Sequence, residues 1–230
     1  MNTGLLYIVA TPIGNLGDIT FRAVETLKQV DLVVCEDTRV TKKLLDHYKI
    51  STSSTSFYAR GRGGSQKPLP KFDYIVEELK NGKNIAFVTD AGTPGISDPG
   101  NQLVEVAVAE GICVVPVPGA SSLTTLASVA GIDLGRFGFL GFPPHKKGRE
   151  TFFREVSEFR VPVIYFESPY RLIKNLELLH SLAPEKNVIL GRELTKMFEE
   201  IVRGTVSEVL EYFNENKDKI KGEIVVIVYK

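Results

Sequence analysis

Short unbroken apolar runs alternate with amphipathic stretches through the first half of the chain. The runs at 5–10, 31–35, 85–88 and 112–115 carry almost no polar residue. Strands covered on both faces read this way, whereas a strand with one wet face alternates. Between the runs lie helical patterns. The first puts Phe21, Val24 and Leu27 on one face, and the second Leu44, Leu45 and Tyr48. A third runs from about Phe72 to Leu79 and stops at Asn81-Gly82, and a fourth joins Leu103 to Val108. Strand, turn and helix in this order predict a parallel sheet with right-handed crossovers.

The second half keeps the alternation with different punctuation. Residues 137–142, 161–166, 187–190 and 222–228 are strand-like, and 198–202 reads as a hairpin partner. Ser168 is expected to cap a helix with Pro169 at its first position and Leu172, Leu176 and Leu179 inward. Ser207 is expected to cap another, with Val209, Leu210 and Phe213 inward. The Pro-rich stretch 116–119 is the expected boundary, giving an N-terminal α/β domain with a parallel sheet over 1–117. A C-terminal α/β domain with a mixed sheet then covers 118–230.

The longest Gly/Pro-rich connection follows the run at 85–88. It reads Thr89-Asp90-Ala91-Gly92-Thr93-Pro94-Gly95-Ile96-Ser97-Asp98-Pro99-Gly100. Glycine lets backbone approach a ligand, and proline fixes the shape of the loop. Open parallel sheets bind ligands at the carboxyl ends of their strands, where this turn belongs. At 120–122, Ala-Ser-Ser opens a further helix whose free donors and hydroxyls suit a polar ligand or plain capping.

Composition narrows the classes. The 230 residues are 43% hydrophobic and 24% charged with zero net charge, so no whole-molecule field draws the chain to nucleic acid. No apolar stretch is long enough for a bilayer, and the N-terminus has no basic region ahead of its short apolar run, so neither membrane span nor signal peptide is expected. Cys35 and Cys113 both sit in apolar runs and are expected to be buried thiols in a reducing, cytoplasmic setting. The three histidines are scattered, so no metal site is expected.

Local basic patches remain. Residues 51–69 bring Arg60, Arg62 and Lys67 beside Phe57 and Tyr58, which suits single-stranded nucleic acid or a solvated loop. The turn at 143–149 carries Lys146, Lys147 and Arg149, a phosphate contact or a loop tip. The turn at 11–18 lacks G-x-G-x-x-G and G-K-[ST], and no G-x-S-x-G or Cys/His pair occurs. Several Gly/Pro loops at strand ends are left. They suit methyl transfer from a sulfonium, which needs in-line placement more than a strong side-chain catalyst.

Six stretches read together carry a resemblance. They are 6–18 (LYIVATPIGNLGD), 35–39 (CEDTR), 90–100 (DAGTPGISDPG), 117–122 (VPGASS), 166–171 (FESPYR) and 191–196 (GRELTK). In this order the chain resembles the tetrapyrrole methylase superfamily, and within it the branch of small-subunit (16S) ribosomal RNA cytidine 2′-O-methyltransferases. The resemblance implies a class III methyltransferase, two α/β domains with S-adenosylmethionine in the cleft between them, and a cytoplasmic homodimer. By position it implies a cofactor site of Pro12, Thr89, Asp90, Ala91, Gly92, Thr93, Ile96, Ser121, Ser122, Phe166, Glu167, Leu194 and Thr195. The stretch after the second helix is commonly His-Glu-His-Asn-Glu-like in that family, where this chain reads Ser-Phe-Tyr-Ala-Arg-Gly-Arg over 56–62.

A ribose hydroxyl attacks only once its proton is drawn off, and Asp37, Glu36 and Asp90, all near strand ends, are the candidates for that base. Arg39, Arg60, Arg62, Lys146, Lys147 and Arg149 are the candidate contacts to the partner RNA in the small ribosomal subunit. Two rival readings stay open: a tetrapyrrole (precorrin-type) methyltransferase on the same fold, and a non-catalytic module that binds ribosomal RNA.

Overall fold

The computed structural model describes residues 3–59, 69–98 and 100–230, so Arg60, Arg62 and Lys67 lie outside the described residues. The chain divides into two compact units, Met1–Ser121 and Ser122–Lys230.

The first unit runs β1 (Leu6–Val9), α1 (Phe21–Gln29), β2 (Leu32–Cys35), α2 (Thr38–His47), β3 (Ser54–Ser56), β4 (Tyr58–Ala59), β5 (Leu69–Pro70), α3 (Phe72–Lys80), β6 (Ile85–Val88), α4 (Gly100–Ala109) and β7 (Val114–Val117). Five strands form a parallel sheet in the order β3-β2-β6-β1-β7, and β4 pairs with β5 as a separate antiparallel ribbon. Central position explains the run at 85–88: all four of its side chains are fully buried. Val9, Val33, Cys35, Ala86 and Val88 face Ala23 and Leu27 of α1 and Leu44 and Leu45 of α2. Leu6, Val34, Ile85 and Phe87 face Ile75 and Leu79 of α3 and Leu103 and Ala107 of α4. Each buried Val, Leu, Ile or Phe among them contributes about 1.5–3 kcal/mol by leaving water.

This topology fixes where a ligand can sit. The chain leaves β1 through α1 on one face, and leaves β6 through α4 on the other. The winding therefore reverses between β1 and β6, which are neighbours. The crevice outside such a reversal is the binding position of open α/β sheets. The turns 11–18 and 89–98 flank it.

The second unit runs α5 (Ser122–Ser128), β8 (Gly138–Phe139), α6 (Arg149–Glu158), β9 (Val163–Glu167), α7 (Leu172–Leu182), β10 (Asn187–Arg192), β11 (Glu200–Thr205), α8 (Val206–Glu215) and β12 (Ile224–Tyr229). Its sheet is mixed, in the order β11-β10-β12-β9-β8, with only β8 and β9 parallel neighbours. Tyr165, Val188, Leu190 and Val226 pack on Phe153, Leu176, Val209 and Phe213 of the helices. Ile164, Ile189 and Ile227, which alternate with them, are fully buried on the other face.

Five details differ from the sequence reading. Phe21 is 92% exposed, and α1 buries Ala23, Thr26 and Leu27 instead. Side chains in a helix tilt toward its N-terminus, so the first residue points past the helix rather than onto the sheet. Cys113 is exposed, because it precedes the edge strand β7, while Cys35 is buried in β2. Ser168 and Pro169 do not begin α7: its cap position is Arg171, whose N–H donates to the Ser168 carbonyl at 3.0 Å. Thr205, not Ser207, caps α8; its hydroxyl accepts from Glu208 N–H and the Glu208 carboxylate accepts from Thr205 N–H, worth about 1 kcal/mol. The strand at 137–142 shrinks to Gly138–Phe139, although Gly141 still accepts from Phe166 N–H.

Candidate functional site

In the first unit the strand-end loops are laced to one another. Thr11 and Gly92 exchange both backbone hydrogen bonds, at 3.0 and 3.1 Å, joining the turns after β1 and β6. The buried Thr11 hydroxyl donates to the Thr89 carbonyl at 3.1 Å, and the Thr93 hydroxyl donates to the Ala120 carbonyl at 3.0 Å. Gly92 has φ +86°, and a Cβ there would stand 3.2 Å from Ile13 Cγ2, so only glycine sits here without strain. The loop closes on Asp98, whose carboxylate accepts from the N–H groups of Gly95, Ile96 and Gly100. Sequence reasoning missed that role, though an Asp two residues before a Gly at a helix start is a sign of it.

Among the expected cofactor residues of this unit, Thr89 is buried with its hydroxyl turned to the Ala91 and Gly92 carbonyls. Pro12 and Thr93 are half-buried, and Asp90, Ala91 and Ile96 are exposed on the loop. Ser121 ends this unit, and Ser122 begins α5 of the other.

Three acids meet beside this loop. Asp37 N–H donates to Asp90 Oδ1 at 3.1 Å, so the ends of β2 and β6 are tied. Glu36 and Asp37 line a hollow of about 320 Å³ with Thr38, Arg39, Ser56 and Tyr58. The three differ electrostatically. Asp37 is held down at about 2, first by hydrogen bonds from the Arg39 guanidinium and then from the Arg39 backbone. Burial pushes Glu36 above the usual carboxylate range, and the Asp90 charge adds to it. Asp90 is exposed as a residue, but partial desolvation of its carboxyl still raises it, partly offset by the Asp37 N–H. Ser56 and Tyr58 were not singled out as hollow-lining residues by the sequence, because strands as short as β3 and β4 leave no periodicity.

In the second unit the register gathers the remaining residues at one sheet edge. Ile224 of β12 stands opposite Glu167 of β9 on one side and Arg192 of β10 on the other. The turns after β9 and β10 therefore leave the same edge, and the turn after β8, parallel to β9, leaves it too. Glu167 is 3% exposed; Oε1 accepts from Ser168 N–H at 2.6 Å and Oε2 from Asn175 Nδ2 at 2.7 Å. Burial raises its carboxyl, and those two hydrogen bonds and the charges of Arg171 and Arg149 pull it back. Its side chain is thus spent on holding the 167–171 turn. Phe166 is half-buried between Phe139 and Phe142, with centroids at 5.1 and 5.2 Å.

Leu194 is buried and Thr195 half-buried on the turn after β10. Both Glu193 (φ 50°) and Thr195 (φ 66°) are left-handed, costing about 1–3 kcal/mol each, which surrounding contacts must hold. Glu193 Oε1 does so: it accepts from Lys196 Nζ at 2.9 Å and Glu223 N–H at 3.0 Å, and a Cβ on Gly222 would lie 2.0 Å from it. Among the described residues, Thr195 Oγ1 is buried with no hydrogen-bond partner. An orphaned hydroxyl on a strained turn is the donor and acceptor that a polar ligand such as the adenosine of S-adenosylmethionine takes up, so the residues fit the cofactor the resemblance implies. Below this turn lies a network that sequence reasoning missed. The buried Arg192 donates to Glu200 Oε2 at 2.8 Å, and Tyr212 and Lys219 donate to Glu200 Oε1. Lys146 and Lys147 are exposed ahead of α6, Arg149 is half-buried at its start, and Arg39 is exposed with its guanidinium on Asp37.

Among the described residues no cluster of His, Cys, Asp and Glu is arranged to hold a metal ion, and no helix is long and apolar enough to cross a membrane.

Residues 5–210 match the profile of the family described as Tetrapyrrole (Corrin/Porphyrin) Methylases. The chain is 46% identical over 228 residues to "Ribosomal RNA small subunit methyltransferase I" of Leptospira biflexa, covering 98% of this chain and 90% of that one. It is 45% identical to the protein of the same name from Haemophilus influenzae, over 98% of this chain and 78% of that one. The X-ray structure of a cobalamin biosynthetic enzyme, cobalt precorrin-4 methyltransferase, shares the fold with a TM-score of 0.67 at 19% identity, over 97% of this chain and 94% of that chain.

Proposed function

The chain belongs to the tetrapyrrole methylase family, and from that premise we propose that it is an S-adenosylmethionine-dependent methyltransferase of small-subunit ribosomal RNA. We propose further that the acceptor is the 2′-hydroxyl of a cytidine in the decoding centre. The observation that carries the ribosomal RNA reading is the 46% identity, over nearly the whole chain, to a relative named for that RNA; the choice of a cytidine 2′-hydroxyl rests on the motif resemblance. When bound, S-adenosylmethionine supplies an electrophilic methyl group on a sulfonium.

The chain's own residues bind, orient and move a proton. The laced turns of the first unit offer Pro12, the 89–93 backbone with Asp90, and Ile96. The second unit offers Phe166, the turn fixed by Glu167, and Leu194 with Thr195. Ser121 and Ser122 complete the proposed set. A base is needed at the ribose oxygen, where it contributes about a hundred- to ten-thousandfold. Asp37 is the poorest proton acceptor of the three acids, since Arg39 holds it ionised at about 2. Glu36 and Asp90, whose carboxyls are raised, suit the task better. Arg39, Arg60, Arg62, Lys146, Lys147 and Arg149 are proposed to meet RNA phosphates. The resemblance also supports a cytoplasmic homodimer.

The test is product analysis. Protein, methyl-labelled S-adenosylmethionine and undermethylated small subunits are combined, and the RNA is digested to nucleosides. Labelled 2′-O-methylcytidine is expected. Label on a base, or RNA binding without uptake of S-adenosylmethionine, contradicts the proposal; the second outcome describes a non-catalytic binding module.

A further inference from the structure

The turns that follow β8 and β9 leave one edge of the second unit's sheet side by side. Phe166 N–H donates to the Gly141 carbonyl at 2.9 Å, and the Arg171 guanidinium donates to the Pro143 carbonyl at 2.9 Å. Two aromatic rings project from this joined pair of turns. Phe142 is 52% exposed, with one side on Phe166, and Tyr170 is 96% exposed. Neither ring contributes to the core. Holding a large apolar ring in water on a turn that is otherwise hydrogen-bonded in place has no structural benefit.

The same two turns carry Lys146, Lys147, Arg149 and Arg171. Arg149 and Arg171 feel the charge of the buried Glu167, whereas Lys146 and Lys147 are exposed with no ion pair among the described residues. The only carboxylate in residues 142–149 and 166–171 is Glu167, which is buried and bound to Ser168 and Asn175. The next acid, Glu150, is paired with Arg154 at 2.6 Å. Exposed rings beside the exposed cations Lys146 and Lys147 match the chemistry of an unpaired polynucleotide, whose bases stack and whose phosphates pair with cations. A second copy of the chain fits less well. A two-fold contact sets a patch against itself, and here would bring like charges together.

The geometry points to a base-stacking platform: Phe142 and Tyr170 receive unpaired bases of the substrate RNA while Lys146, Lys147 and Arg149 hold its phosphates. This rests on the reading that the acceptor is RNA, and it deepens that reading by naming single-stranded RNA as the form bound. It also accounts for two aromatics that the cofactor and proton-transfer roles leave unused.

The test is binding of a short, labelled, unstructured oligoribonucleotide to the full chain, over a series of salt concentrations and without S-adenosylmethionine. Tyr170→Ala and Phe142→Leu are each expected to weaken binding roughly tenfold with no change in salt slope, and Tyr170→Phe to restore it. Lys146→Gln and Lys147→Gln are expected to lower the slope of log K against log salt by roughly 0.7 each. Phe142→Leu keeps apolar bulk against Phe166, so a folding defect does not imitate the result. Binding by both ring variants equal to that of the parent overturns the platform. So does a parent that sediments as a dimer alongside a monomeric Tyr170→Ala, which assigns the rings to a contact between copies. Ring-dependent binding by a protein that transfers no methyl group leaves the platform standing and removes the methyltransferase reading.

Discussion

Asp37 and Asp90 are joined by a 3.1 Å hydrogen bond from the backbone N–H of the first to the carboxylate of the second. That bond extends the β2–β6 pairing into the turns beyond the two strands, and so joins the proton-accepting hollow to the loop proposed to hold the methyl donor. Asp90→Asn keeps an acceptor oxygen for the Asp37 N–H, whereas Asp90→Ala leaves that donor unmatched. We expect Asp90→Ala to weaken S-adenosylmethionine binding about tenfold, in line with a lost hydrogen bond to a charged group of about 1.5–3 kcal/mol. Asp90→Asn should retain more of the affinity. Titration calorimetry on both variants checks this, and equal affinities count against the link.

The hollow predicts a pH dependence. A base must be deprotonated to act, and the Glu36 and Asp90 carboxyls are raised above the usual range, chiefly by burial. Methyl transfer at saturating substrates should therefore rise with pH through a limb lying above the ordinary carboxylate value. Glu36→Gln is expected to lower the rate about a hundredfold or more and to remove its share of that limb. Asp37→Asn should leave the limb in place, since Asp37 is ionised down to about 2. A pH–rate profile for the three proteins separates the acids. A limb that persists in Glu36→Gln assigns the proton transfer to Asp90.

Glu200 gives the acid limb of stability. Burial alone would push its carboxyl up, but hydrogen bonds from Tyr212, Arg192 and Lys219 outweigh burial and hold it at about 2. A depressed carboxyl stabilises the fold above its unfolded value and loses that contribution as pH falls toward the folded one. The loss should lie between about 4.5 and about 2. Removing the carboxylate with Glu200→Ala strands the buried Arg192, an error that costs about 3–5 kcal/mol. Urea denaturation of the parent and of Glu200→Ala at neutral pH measures the loss.

Two glycines test the loop geometry. Gly222→Ala must displace the Glu193 carboxylate, which holds both the Lys196 ammonium and the Glu223 N–H. Gly92→Ala meets Ile13 at 3.2 Å and keeps a left-handed backbone. Each is expected to cost about 1–2 kcal/mol from the backbone alone. Gly222→Ala should lose more than Gly92→Ala in thermal stability, because its contact is far closer. Equal melting temperatures would contradict the assigned geometry.

Much of this was legible beforehand, for physical reasons. Parallel strands buried on both faces write unbroken apolar runs, so residues 85–88 announced the central strand β6. The motif loops at 11–18 and 89–98 fall at the winding reversal that the strand order creates. What stayed hidden depends on pairings far apart in sequence. The network of Arg192, Glu200, Tyr212 and Lys219 is made by tertiary contact, and no local spacing encodes it. Phe21 misled because hydrophobicity says nothing of a side chain's direction at a helix start. Ser168 followed by Pro169 reads as a helix start, but those residues form a turn closed by the Arg171 N–H on the Ser168 carbonyl, and α7 begins after it.

The central claim is the choice of acceptor, and a competition measures it most directly. The protein is given methyl-labelled S-adenosylmethionine together with undermethylated small ribosomal subunits and a tetrapyrrole acceptor, and the label is partitioned between the two. The account predicts label in the RNA alone, as 2′-O-methylcytidine within the decoding centre. Label in the tetrapyrrole, with none in the RNA, would contradict it.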